Sequence, residues 1–149
     1  MKKIFILTKI IIIYLLLTTN ATTKESKFFI TGKEFFDNKK FDKSKILFER
    51  DIVFNPKSEK SYLYLAKIYS TKENFEEEEI NLNNVLLLNP QNEEAVYMLI
   101  LIRIKQSDYS EAKKLIERFT LICKSLCSKK SEIQDKFDKL SPQDAKSNN

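Results

Sequence analysis

No histidine occurs anywhere in the 149 residues, and glycine occurs once, at Gly32. The first absence removes the commonest general base, metal ligand and catalytic-triad member. The second leaves no glycine-rich loop to cradle a phosphate. Cys123 and Cys127 are the only cysteines. Their C-x3-C spacing is not the C-x-x-C redox motif, and two thiols without histidine make a poor metal site. No carboxylate pair stands out from the general acidity, and no serine has an evident base. The chain therefore reads as a non-enzyme with no cofactor, no metal and no small-molecule substrate. Three prolines and one glycine are also too little turn chemistry for a sheet protein. Helices joined by short polar connections fit this composition.

Charge excludes another class. The formal net charge is +5, from 26 basic and 21 acidic side chains. Lys2, Lys3 and Lys9 lie in the first 21 residues, which hold no acid; without that segment 23 basic face 21 acidic side chains. The remaining lysines are interleaved with glutamates and aspartates. Nucleic-acid binding calls for a concentrated basic face, so no nucleic-acid partner is expected.

The first 21 residues read as a signal peptide. Lys2 and Lys3 form a positive start, and the uninterrupted apolar run Ile10 to Leu17 follows. A membrane span needs roughly 20 apolar residues, whereas a signal-peptide core needs about 7–15. Thr19-Asn20-Ala21 offers small residues for cleavage after Ala21, giving an exported chain, periplasmic or secreted. The alternative is an uncleaved segment that anchors the chain to the membrane.

Pro56 and Pro90, each preceded by asparagine, are 34 residues apart. That spacing reveals a repeat. With the proline at position 32, units run 25–58, 59–92 and 93–126. Position 4 is Phe28, Tyr62 and Val96; position 17 is Phe41, Phe75 and Tyr109. Position 24 is Phe48, Leu82 and Ile116; position 30 is Phe54, Leu88 and Ile122. Position 8 is Gly32, Ala66 and Ile100, and the small residues there let a second helix approach closely. Helical spacing recurs inside each unit, as in Tyr62, Leu65, Ala66 and Tyr69 at i, i+3, i+4, i+7.

Helices are expected at roughly 25–38, 42–54, 59–72, 75–88, 93–106 and 109–123. Asn74 with Glu77 and Asp108 with Glu111 form N-cap pairs, and Ser58 and Asn92 cap the first helices of their units. Ile133, Phe137 and Leu140 share one face of a short helix, 131–140, that is expected to cover the end of the last unit. The polar tail 141–149 is expected to be disordered. The run Glu76 to Glu79 complements the start of its helix. An even cysteine count in an exported chain suggests a disulfide, with two buried thiols as the alternative. Residues four apart in a regular helix have Cα atoms roughly 6 Å apart, so a bridge requires the helix to loosen near 125–128.

These columns resemble the tetratricopeptide repeat family over about Glu25 to Lys124. Unit one matches best, through Phe28, Gly32, Phe35, Phe41, Ser44, Phe48 and Pro56. Departures are Glu78 at position 20, Asp51, Val85 and Phe119 at position 27, Ile100 and Arg103 in unit three, and Lys124 in place of proline. The cysteine pair also resembles that of small exported bacterial tetratricopeptide proteins, which have one just after the last repeat. The resemblance implies an all-α fold of three helix hairpins in a short right-handed solenoid with a C-terminal capping helix. It further implies a concave groove lined by Phe29, Lys33 and Phe36, then Lys60, Leu63 and Lys67, then Tyr97, Leu101 and Ile104. An apolar floor edged by lysines suits a peptide or helix with apolar anchors and acidic residues. The alternative is that these residues are covered by the tail helix or the N-terminal extension. Phe29 and Tyr64 stand where the family's carboxylate clamp needs polar side chains, so chaperone-tail recognition is not implied. A protein-interaction scaffold of the cell envelope follows, with a self-associating structural repeat protein or an accessory subunit of an envelope complex as the alternative. In the self-associating case Phe29 and Phe36 would form part of the oligomer contact.

Overall fold

The computed structural model describes residues 25–141, all in helices and short connections. Among the described residues seven helices follow one another: α1 Lys27–Asp37, α2 Phe41–Phe54, α3 Glu59–Thr71, α4 Phe75–Leu88, α5 Glu93–Lys105, α6 Tyr109–Ile122 and α7 Lys129–Leu140. The expected helices are found within about two residues at each end. The capping helix starts two residues earlier than expected, at Lys129. The leader at 1–21 and the tail from 142 lie outside the described residues.

Helices α1, α3 and α5 each pair with the next to form a hairpin, and each hairpin packs on its neighbour through α2 against α3 and α4 against α5. Helix α7 then packs on both α5 and α6. This is the stacking order of a helical repeat, in which each unit buries the next.

Two apolar clusters carry the stack. Phe29, Phe48, Leu65 and Ile68 form the first, joined by Phe36, Phe41, Tyr64 and Tyr69. The larger cluster runs from Ala66 and Leu82 through the α5 residues Val96, Leu99 and Ile100 to Phe119, Ile133 and Phe137. Helix α3 belongs to both, because its Leu65 and Ile68 face one way and its Ala66 the other.

The turn within each hairpin is the same three times. Lys39, Glu73 and Ser107 have φ of 57°, 54° and 60°, and they are 34 residues apart. In each, the next N–H bonds five residues back: Lys40 to the Phe35 carbonyl at 2.8 Å, Asn74 to Tyr69 at 3.1 Å and Asp108 to Arg103 at 2.9 Å. This is the Schellman ending, which satisfies carbonyls that the helix end leaves open. Asn74 and Asp108 then cap the following helix, accepting from the Glu77 and Glu111 N–H at 3.2 Å each. Asn92 caps α5 through the Ala95 N–H at 2.8 Å. Ser58 does not cap α3: its hydroxyl donates to Ser61 Oγ at 3.0 Å instead. Ser26, which the pattern did not single out, caps α1 through the Phe29 N–H at 3.0 Å.

Helix α7 seats on Ile133 and Phe137, both buried, while Leu140 is exposed. The expected three-residue stripe thus packs through two residues, Leu140 being the last of the helix. The α6–α7 connection is closed by a disulfide between Cys123 and Cys127, with Cα atoms 5.2 Å apart. Helix α6 stops at Ile122, so the pair bridges a loop, not a helical turn. Inside that loop the Lys124, Ser125 and Leu126 N–H groups converge on the Glu93 carboxylate at 2.6, 3.1 and 3.1 Å. The Ser125 hydroxyl donates to it as well. These donors hold Glu93 down to about 2, with the Ser125 hydroxyl contributing most.

Candidate functional site

The face built by the first helices of the units carries the nine groove positions. Its α1–α3 half is an aromatic cluster with lysines on it. Phe29 is buried and lies 5.7 Å from both the Phe48 and the Tyr64 rings. Tyr64 stacks on Phe48 at 5.1 Å and meets the Phe36 edge at 5.0 Å. Lys60 Nζ sits 5.8 Å above the Phe29 ring, and Lys67 Nζ sits 5.0 Å above Tyr64. Such cation–π contacts hold an ammonium in place without neutralising it. Lys33 lies on the same helix as Phe29 and Phe36, one turn from each.

All three lysines have acidic partners. Lys33 pairs with Asp37 at 2.7 Å, Lys67 with Glu94 at 2.8 Å, and Lys60 with Glu25. The Asp37 contact raises the Lys33 pKa above its ordinary value. Exposed pairs of this kind contribute only about 0–1 kcal/mol, so another carboxylate can replace the present one.

The rest of the nine positions behave differently. Leu63 and Tyr97 are half-buried against the larger core cluster. Ile104 is buried within it. Tyr97 Oη reaches Glu132 of α7 at 3.3 Å, and Tyr109 meets Phe137 of α7 edge-on at 6.2 Å. The capping helix thus covers part of unit three. Leu101 is half-buried at the mouth of a cleft beside Glu78 and Lys105. The structure brings Phe29, Lys33, Phe36, Lys60 and Lys67 together, with Leu63 on the same helix, draws Tyr97 into the cap contact and buries Ile104 in the core. Phe29 and Ile104 support the surface from below and expose almost nothing to a partner.

Several polar residues outside the nine proved central to the geometry. Asp51 is buried and accepts from the Ser26 and Ser61 hydroxyls, the latter at 2.5 Å. It ties α2 to the starts of α1 and α3. Arg103, which replaces the large apolar residue of the repeat pattern, pairs with Glu79 and bonds Gln106 at 2.9 Å. Glu78 is buried near Ser70, and burial raises its pKa above the ordinary carboxylate value. Their departure from the repeat pattern was the signal available in the sequence for Asp51, Glu78 and Arg103. Among the described residues no group of histidines, cysteines or acids is arranged to hold a metal ion.

No family model and no curated protein sequence matches the chain. Solved structures do. The first TPR of Spaghetti (RPAP3), bound to the HSP90 peptide SRMEEVD, superposes with a TM-score of 0.68 at 19% identity, over 76% of this chain and 90% of that one. The Sgt2 TPR domain from Aspergillus fumigatus gives 0.64 at 18% identity, over 76% and 78%. A CopN–Scc3 complex gives 0.63 at 19% identity, over 78% of each chain. Together with the 34-residue period and the stacked hairpins, these likenesses establish the all-α, tetratricopeptide-type helical-repeat fold of the chain.

Proposed function

We propose that the protein is a non-catalytic protein-interaction scaffold of the cell envelope. It holds a peptide or helix against the face of α1 and α3, and the partner is acidic with apolar anchors. The observation that carries this reading is the placement of Lys60 and Lys67 over the Phe29 and Tyr64 rings, beside Lys33. Those ammonium groups remain open to solvent to different degrees, Lys60 most and Lys67 least, and their present carboxylate partners are weakly held. A partner carboxylate can take the same place while its apolar neighbours rest on Phe36 and Leu63. The peptide held by the Spaghetti domain supports the reading, since that domain shares this fold. The envelope assignment is supported by the signal-like leader and the cysteine pair.

The test replaces Lys33 and Lys67 with glutamate and compares what envelope extract yields to each form. Loss of the wild-type partners is expected; an unchanged set would sink the groove. Self-association is the second reading, favoured by a different observation. Val53, Leu87 and Leu121 occupy one repeat position and are 73%, 80% and 86% exposed. Phe29 is buried, so the oligomer contact that the sequence suggested there moves to these outer residues. Light scattering separates the two: a stable dimer that dissociates on Leu87→Lys and Leu121→Lys favours self-association.

A further inference from the structure

The middle unit of the repeat differs from its two neighbours. At position 12 unit one has Phe36, whose ring is edge-on to Phe41 at 5.3 Å and to Tyr64 at 5.0 Å. Unit three has Ile104, which is buried. Unit two has Ser70, and no ring fills the equivalent space. A cleft of about 200 Å³ opens there, between the end of α3, the start of α4 and α5.

Position 20 differs in the same unit. Ser44 and Ala112 are fully buried at that position in units one and three. The fold therefore needs only a small side chain there. Unit two has Glu78, which is 3% exposed and lines the cleft. Ser70 lines the same cleft, and no salt bridge joins Glu78 to Lys105, which acts on it only through space. Lys105 itself bonds Glu73 at 3.2 Å and lies 4.2 Å over the Phe75 ring. A buried carboxylate with no cation in contact is costly, and burial accordingly pushes its pKa up. With Glu73, Glu78 and Lys105 charged, the cleft carries one excess negative charge. Phe75, Met98 and Leu101 give it apolar walls.

We propose that this cleft is a specificity pocket for one basic side chain, lysine or arginine, of the bound partner. The alkyl stem lies against Phe75, Met98 and Leu101, and the charged head meets Glu78 where unit one would place a phenyl ring. Ser70 lies on α3 one turn beyond Lys67, so the pocket adjoins the end of the face assigned to the partner; in that respect it rests on the proposed function. The partner then has an acidic part over α1 and α3 and a basic residue further along, which sets its direction.

The experiment follows amide shifts of the isotope-labelled full chain by NMR during titration with Nα-acetyl-lysine methylamide. The arginine analogue and the uncharged norleucine analogue are the companion titrations. Shifts at Ser70, Glu78 and Leu101 with the two cations, at millimolar affinity, are expected. Norleucine and the Glu78→Gln variant should each bind at least about tenfold more weakly, about 1.4 kcal/mol. Ser70→Phe should abolish binding by refilling the cleft, and should raise the melting temperature. Equal binding of norleucine, undiminished binding by Glu78→Gln, or shifts confined to other surfaces would each overturn the pocket. Such a failure leaves the lysine face standing, because the Lys33 and Lys67 replacements test that face separately.

Discussion

Gly32 is the one glycine of the chain, and the structure gives it a steric reason. A Cβ built there would lie 2.9 and 3.0 Å from two Phe48 ring carbons and 3.3 Å from the Leu47 Cβ. The pairing of positions 8 and 24 shows a trade in volume: Gly32 with Phe48, Ala66 with Leu82, Ile100 with Ile116. Where one side is smallest, the other is largest. Gly32→Ala gains roughly 1 kcal/mol of helix propensity but forces the Phe48 ring to move, at about 1–3 kcal/mol. A net loss of about 1 kcal/mol is expected in urea unfolding followed by circular dichroism. Adding Phe48→Leu should recover most of that loss, since it recreates the Ala–Leu pair of unit two. Simple additivity of the two changes would show that the ring is not what the methyl meets. Asp51 makes a second case. Alanine suits its position in the family pattern, yet Asp51→Ala here removes the acceptor of two hydroxyls, Ser26 and Ser61. A cost of about 1–3 kcal/mol is expected for the donors left behind, and Ser26→Ala should be milder when made in the Asp51→Ala background than alone.

Each first helix ends on a residue that geometry would assign to glycine. Lys39, Glu73 and Ser107 all hold positive φ, which costs a side-chain-bearing residue roughly 1–2 kcal/mol. Glycine at such a site removes that strain, less roughly 0.5–1 kcal/mol for its greater freedom when unfolded. Lys39→Gly is therefore expected to raise stability by about 0.5–1 kcal/mol, read as a shifted urea midpoint with unchanged slope. At the other end, α7 depends on two polar devices. The disulfide closes a very short loop, worth roughly 2 kcal/mol in the chain-entropy account. Within that loop three N–H groups and a hydroxyl bind Glu93. Glu93 and Glu132 are both held down to about 2 in the folded chain, Glu93 chiefly by Ser125 and Glu132 by Lys129 and Lys136. A lowered folded pKa stabilises at higher pH: the contribution is full above the ordinary carboxylate value of about 4.5 and is lost as pH falls toward 2. Amide exchange in α7 should accordingly speed up between those limits, corrected for intrinsic rates, while α3 and α4 stay protected. Glu93→Gln should remove most of that acid dependence and leave α7 looser at pH 7.

The whole molecule explains what was legible in the sequence and what was not. Period and apolar columns reveal stacked hairpins, because each hairpin must hide the same face in the same way. The same pattern placed Phe29, Lys33, Phe36, Lys60 and Lys67 in one neighbourhood, since they sit at related turns of α1 and α3. It could not show that Phe29 is buried under Tyr64, or that α7 reaches Tyr97, because those depend on side chains from units far apart in sequence. Nor could it show that Ser70 and Glu78 line one cleft, which matters only through the ring that unit one has and unit two lacks. The two apolar clusters carry a further consequence. In a linear stack, each unit is stabilised by itself and by its neighbours alone. The first cluster is the smaller and has no unit described before it, so α1 and α2 should open at lower free energy than α5 and α6. Phe48 is fully buried there, and Phe48→Ala should cost about 3–5 kcal/mol locally. Hydrogen exchange should then show α1 and α2 open to solvent in otherwise native protein, with α5 and α6 within about threefold of their original protection, less than 1 kcal/mol. The converse change, Phe137→Ala, should loosen α7 and leave α1 and α2 as they were. If either substitution instead lowered protection evenly along the chain, the hairpins would be unfolding as one cooperative body, and nearest-neighbour stacking would not describe this fold.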